Sequence, residues 1–322
     1  MRERATTCFC VFLWLFSFLD FIAASNSPWA TWWAYQGLAG PQHWGYLNPD
    51  WVLCRSGKFQ SPINIEPRLL LFDPKLRRMS VDIPDLVSGV LKNTGNDIML
   101  SLDDIVSSAA NFSDGPFMYN YRLAQVKLHI GKTNSRGSEH RIDEKSFASE
   151  IQLICYNSDL FKSLHEAERM PYGVAIIAVF GEIAEKFGIK NSAFKALVDM
   201  ATKIPWQGQG VHVQDLRVKS LIPDTNYYVT YEGSFTQPGC QETVTWVLFN
   251  KPIYIDQSEL DTLRNLQSKQ IDNRMTMMEG NVRPTMPVNN RAIRTNINYP
   301  STGGLCDMKR ITFYEANDII KN

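Results

Sequence analysis

The sequence predicts a mostly β (α+β) domain, and three observations carry that prediction. Short alternating or apolar runs separated by turn residues fill the chain from Val81 onward, as expected of many strands. Only two segments repeat their apolar residues at helical spacing. No internal repeat or Gly/Ser linker divides the 322 residues, so one domain is the simpler reading.

In chain order, the first element stands outside the fold. Arg2, Glu3 and Arg4 precede an apolar run over residues 8–19, and the small residues Ala23, Ala24 and Ser25 follow. This is the plan of a secretory signal peptide over residues 1–25. The run falls short of the ~20 apolar residues that cross a bilayer, and no later stretch is long and apolar enough to do so. A secreted, extracellular chain without a membrane span is therefore expected.

Next, Trp33, Tyr35, Trp44 and Trp51 are expected to pack the N-terminal segment onto the domain. Runs at 90–91, 98–100, 126–130, 151–156, 174–180, 227–231 and 244–249 are mostly too short for helices and read as strands. Residues 192–204 place Phe194, Leu197, Val198, Ala201 and Ile204 on one helical face behind a cap at Asn191 or Ser192. Residues 258–266 carry a second stripe, Leu260, Leu263 and Leu266, with Ser258 and Asp261 read as a capping box. The domain is expected to occupy residues 26–299. Beyond it, Pro300-Ser301-Thr302-Gly303-Gly304 opens a flexible C-terminal tail over 300–322 that carries Cys306.

Thirty-three basic residues balance thirty-three acidic ones, which leaves no overall field to draw the chain to nucleic acid or an anionic membrane. Export implies an oxidising compartment in which thiols pair. Cys8 and Cys10 leave with the signal; Cys54, Cys155, Cys240 and Cys306 remain, and counting alone does not separate their three pairings. Asn111-Phe112-Ser113 is a glycosylation sequon, which makes Asn111 a surface position in a secreted chain.

Residues 125–130 alternate strictly, so Val126, Leu128 and Ile130 face one side and Gln125, Lys127 and His129 the other. Residues 150–156 likewise set Ile151 and Leu153 against Glu150, Gln152 and Ile154. Between them lies Gly137-Ser138-Glu139-His140. The order Gln125-x-x-x-His129-x-Gly131, then residues 137–140, then Glu150-x-x-Leu153 resembles the α-type carbonic anhydrases. The resemblance runs over nearly the whole mature chain through Gly40-Pro41-Gln42-His43-Trp44, Gln60-Ser61-Pro62-Ile63-Asn64-Ile65, Gly233-Ser234-Phe235-Thr236, Thr245-Trp246 and Arg283-Pro284-Thr285-Met286-Pro287.

That resemblance implies a large, mainly antiparallel twisted sheet with a few short peripheral helices, the α-carbonic anhydrase fold. It also implies a site. Active members hold zinc through two histidines one residue apart on the first strand and one on the second, and here those positions are Lys127, His129 and Gln152. A lysine repels the cation and a neutral amide is a poor zinc ligand, so His129 remains as a vestigial ligand, with no zinc and no other cofactor expected. Glu139 and Thr236 match the hydrogen-bonded pair that orients the zinc-bound hydroxide. Asn96 stands where the proton-shuttle histidine belongs, and an amide does not titrate near neutral pH. Gln237 follows Thr236, and Phe235 and Ile176 would line the apolar wall. With the chemistry gone, His129, Glu139 and His140 are expected to persist as buried hydrogen-bond partners. The resemblance further implies a Cys54–Cys240 disulfide, leaving Cys155 as a small buried strand residue and Cys306 as an odd thiol available to a partner.

Within the family, the lost ligands, the signal peptide and the stretches Asn289-Asn290-Arg291 and Arg294-Thr295-Asn296-Ile297-Asn298 are similar to the carbonic anhydrase-related proteins X and XI. That subgroup implies a catalytically silent, secreted protein of nervous tissue that binds neurexin-type receptors at the cell surface. Ala292 departs from it, since vertebrate members tend to have cysteine there. Two other readings stand beside this one: a residual zinc-dependent hydratase or esterase that recruits Cys155 or Glu139 as substitute ligands, and a small-molecule binder in the vacated pocket.

Overall fold

The structure, a computed structural model, describes residues 32–184, 189–267, 278 and 280–298. The expected signal peptide over 1–25 and the tail over 300–322 with Cys306 lie outside the described residues. A compact unit begins at Ala34.

Its strands are β1 (Asn64–Ile65), β2 (Leu71–Phe72), β3 (Met79–Asp82), β4 (Val87–Asn93), β5 (Ile98–Leu102), β6 (Asn111–Asp114), β7 (Tyr121–Ile130), β8 (Arg141–Ile142), β9 (Ser149–Asn157), β10 (Val174–Ile183), β11 (Gly210–Leu216), β12 (Tyr228–Gly233), β13 (Val244–Phe249), β14 (Ile253–Ile255) and β15 (Arg294–Thr295). Apart from the small β1–β8 pair, they form one sheet in the order β11-β4-β5-β7-β9-β10-β13-β12-β15-β2, with β14 on β10 and the β3–β6 pair on β7. Most pairings are antiparallel, as expected, but the sheet is mixed: β10 pairs β13 and β14 in parallel, and β15 pairs β2 in parallel. Six of the seven expected runs fall wholly within strands, and the seventh, 227–231, begins one residue before β12.

The two faces of the central strands explain where the core sits. Val126, Leu128, Leu153, Cys155 and Ile177 belong to one apolar cluster, together with Phe194, Leu197 and Leu260 of the helices. Ile154, Ile176, Ala178, Phe180, Tyr231 and Trp246 form a second cluster. Side chains alternate along a strand, so the second cluster shares its face with Lys127, His129, Glu150 and Gln152. The polar site is set into an apolar wall.

The longer helix is α5 by chain order, after α1 (Trp44–Leu47), α2 (Leu53–Ser56), α3 (Asp104–Ala109) and α4 (Leu164–Ala167), and spans Ser192–Ala201. Asn191 caps it, its Oδ1 accepting from Ala193 N and Phe194 N. It ends three residues earlier than the apolar spacing suggests, because Ile204 precedes Pro205 and the residue before proline avoids helical backbone. Ten residues are too few for a stable isolated helix; the burial of Phe194, Leu197 and Val198 against the sheet holds it.

The last helix, α6 (Gln257–Arg264), corrects the expected cap. Asp256, not Ser258, is the N-cap, and Glu259 completes the box by accepting from Asp256 N at 2.8 Å. Asp261 instead accepts from Gln257 Nε2 and Arg264 Nη1. A Glu at the third helical position has the reach to close the box, which Asp261 lacks. Asp256→Ala removes the acceptor, and a loss of about 1 kcal/mol is expected by urea unfolding.

Candidate functional site

Strands β7 and β9 pair with Lys127 opposite Gln152 and His129 opposite Glu150. A register shift between Leu123 and Gln125 resets the alternation just before these residues, so the clean period-two pattern starts at Gln125. The strand register thus brings the three expected ligand positions together. What their side chains do there is different from metal binding.

Lys127 is 8% exposed. Its Nζ donates to Gln237 Oε1 at 2.6 Å and lies 3.7 Å from Asp97 Oδ2. Gln237 Nε2 donates to the same Asp97 oxygen at 2.8 Å, and Thr94 Oγ1 donates to Asp97 Oδ1 at 2.6 Å. Gln237 reaches this position because the chain turns sharply after it: Gly239 and Cys240 have φ of 103° and 49°, and Cys240 N donates to Gln237 O at 3.0 Å.

His129 is fully buried, and its Nδ1 meets Asn281 O at 2.7 Å. A carbonyl only accepts, so Nδ1 carries the proton. Its Nε2 has no hydrogen-bond partner and sits 3.7 Å from Glu139 Oε2. The Asn281 side chain also donates to Leu128 O and accepts from Ile130 N, which fixes the strand around the histidine. The Tyr35 ring stands edge-on to His129 with centroids 6.5 Å apart.

Gln152 Nε2 donates to Glu139 Oε2 at 2.8 Å and to Glu150 Oε1 at 3.0 Å. The other Glu139 oxygen accepts from Arg283 N at 2.9 Å. The expected Glu139–Thr236 hydrogen bond does not form. Gln152 puts an N–H where an imidazole would aim a lone pair at a metal, and that N–H takes a Glu139 oxygen. Glu150 also accepts from His140 N, while His140 Nδ1 lies 2.9 Å from its Oε1 and His140 Nε2 lies 2.6 Å from Tyr231 Oη. Burial alone would push the Glu150 carboxyl up, but the His140 charge and hydrogen bonds override it and hold the group below the ordinary carboxylate range.

Arg283 ties this site to the N-terminal segment. Its Nη1 donates to Ser61 O, its Nη2 to Cys54 O and Gln60 Oε1, and its guanidinium lies over the Trp44 ring at 5.6 Å. Burial lowers it to about 10, so it stays charged at neutral pH. Trp44 is wholly buried, with Nε1 donating to Ala34 O and Ala39 O. Cys54 and Cys240 form a disulfide.

The residues present do not fit zinc. A zinc site needs convergent lone pairs, whereas Lys127 and Gln152 present N–H groups and His129 alone offers a ring nitrogen. Among the described residues no group of three or more His, Cys, Asp or Glu could hold a metal ion. Cys155 is no substitute: it is buried on the opposite face, among Leu153 and Ile177. Burial raises its thiol well above the usual range, away from the thiolate that a metal needs. Both oxygens of Glu139 are already engaged.

The remaining expected residues are placed as follows. Asn96 is half-buried in the turn after β4, its N–H donating to Thr94 Oγ1 at 3.2 Å. Phe235 packs against the cluster that contains Ile176. Asn111 opens β6, with Nδ2 donating to Ser108 O at 3.3 Å. Sequence reasoning missed Asp97, Asn281 and the anchoring role of Arg283. The one available signal for Asp97 was an acidic residue directly before the apolar start of β5.

Residues 39–297 match the family model described as eukaryotic-type carbonic anhydrase. The chain is also similar to the Caenorhabditis elegans protein named "Putative carbonic anhydrase-like protein 2", at 36% identity over 272 residues, covering 83% of this chain and 80% of that protein.

Proposed function

Since the chain belongs to the eukaryotic-type carbonic anhydrase family, we propose that it is a catalytically silent member: a secreted carbonic anhydrase-related protein that works by binding an extracellular partner. The observation that carries this reading is the engagement of Lys127 Nζ by Gln237 and Asp97 at the position of a ligand imidazole. Generating a hydroxide at neutral pH requires an open metal position with several neutral or anionic ligands. A bound ammonium supplies neither. The C. elegans relative, called carbonic anhydrase-like, is in keeping with this. The partner proposed is a neurexin-type cell-surface receptor, following the likeness to the X and XI subgroup.

Two measurements on the full chain purified from culture medium test the reading. Elemental analysis is expected to give substoichiometric zinc, and stopped-flow assay no carbon dioxide hydration above the buffer rate. One zinc per chain with hydration would overturn the inactive reading. In the second measurement the chain is expected to capture a neurexin-type ectodomain; no capture would remove the partner while leaving the inactivity standing.

A further inference from the structure

Removing a metal ion from a buried site leaves a charge to be balanced. Asp97, Glu139 and Glu150 are each at most 3% exposed, and buried carboxylates are costly unless paired. Glu150 faces His140, and Glu139 is held by the Gln152 amide and Arg283 N. Asp97 has Lys127.

We propose that the Lys127 ammonium is a cation built into the chain in place of the metal, neutralising Asp97 and making the fold independent of any bound ion. Three observations support this. Lys127 extends from the register position beside His129 and opposite Gln152, the point on which the ligand set converges in active members of the family. Its single positive charge equals the net charge of a divalent ion carrying hydroxide, and its Nζ stands 3.7 Å from Asp97 Oδ2. Finally, Gln237 is used at both ends, Oε1 accepting from Lys127 and Nε2 donating to Asp97. An ammonium cannot accept and a carboxylate cannot donate, so Gln237 is oriented one way only and locks the pair. Thr94 Oγ1 secures the far Asp97 oxygen.

The proposal rests on the metal-free reading, and its test is kept separable from it. Urea unfolding of the full chain is measured with and without EDTA for wild type, Lys127→Met, Asp97→Asn and the double variant. Wild type is expected to ignore EDTA. Lys127→Met leaves Asp97 buried and unpaired, and its folding equilibrium constant is expected to fall on the order of 100-fold. Asp97→Asn should cost less, because Lys127 keeps Gln237. The double variant, which buries neither charge, is expected to be at least as stable as Lys127→Met. A double variant less stable than Lys127→Met, or unable to fold, would overturn the assignment. Stoichiometric zinc in wild type would overturn the metal-free reading whatever the variants show.

Discussion

Replacing Lys127 and Gln152 together by histidine is expected to turn a chain without a zinc site into one that binds zinc stoichiometrically, with Kd below about 1 μM. Lys127 and Gln152 face each other across the β7–β9 ladder and His129 lies two residues along the same face. Three imidazoles would then converge, and the lone pair of His129 Nε2, which has no partner in the unaltered protein, is already aimed inward by the Nδ1 contact to Asn281 O. Such outer contacts fix the tautomer and orientation of a ligating histidine. The substitution also strips Asp97 of its cation, so the apo variant should be less stable than wild type and zinc should raise its unfolding midpoint. Both effects are read by thermal unfolding with and without added zinc. Hydration activity should stay low, because Asn96 cannot relay a proton and Gln237 holds the ground beside Thr236; adding Asn96→His should raise it. A double variant that folds but takes up no zinc would refute the ligand positions.

The second large effect concerns the disulfide. Cys54 and Cys240 are 186 residues apart in sequence, and closing so long a loop restricts the unfolded chain strongly. Cys54→Ser with Cys240→Ser is expected to cost about 2–5 kcal/mol in urea unfolding. The bridge does not act alone: Gln60 Nε2 donates to Cys240 O and Arg283 Nη2 to Cys54 O, so the segments it joins are already in register. Peptide mapping without reduction should recover the two cysteines as one cross-linked pair, and either one found as a free thiol would rule the bridge out.

Much of this architecture is written locally. The alternation at 125–130 identifies which residues of β7 face the site, and the 3.6-residue stripe at Phe194, Leu197 and Ala201 identifies the buried face of α5, because both periods follow from backbone geometry. The resemblance to the α-type carbonic anhydrases, and no local period, marks Lys127, His129 and Gln152 as the ligand positions, and the β7–β9 register brings them together. What stayed hidden depends on contacts distant in sequence. Asp97 meets Lys127 across the β5–β7 neighbourhood and meets Gln237 from 140 positions away, and no local pattern encodes such a meeting. The same holds for Asn281, which reaches β7 from 152 residues downstream of His129. The α6 cap is a local feature: Asp256 stands two residues before Ser258, three before the Glu259 that closes the box.

Arg283 has a consequence for how the protein is made. Its guanidinium closes the structure onto Ser61, Gln60 and Cys54 from 222 to 229 residues away. Contacts of such separation form late. At a synthesis rate of about 5–20 residues per second, the first of these partners waits roughly 10–45 s for Arg283 to be synthesised. Throughout that interval Trp44 lacks the Arg283 guanidinium that covers its ring. Truncation before Arg283 is therefore expected to yield an aggregating product and not a smaller stable domain.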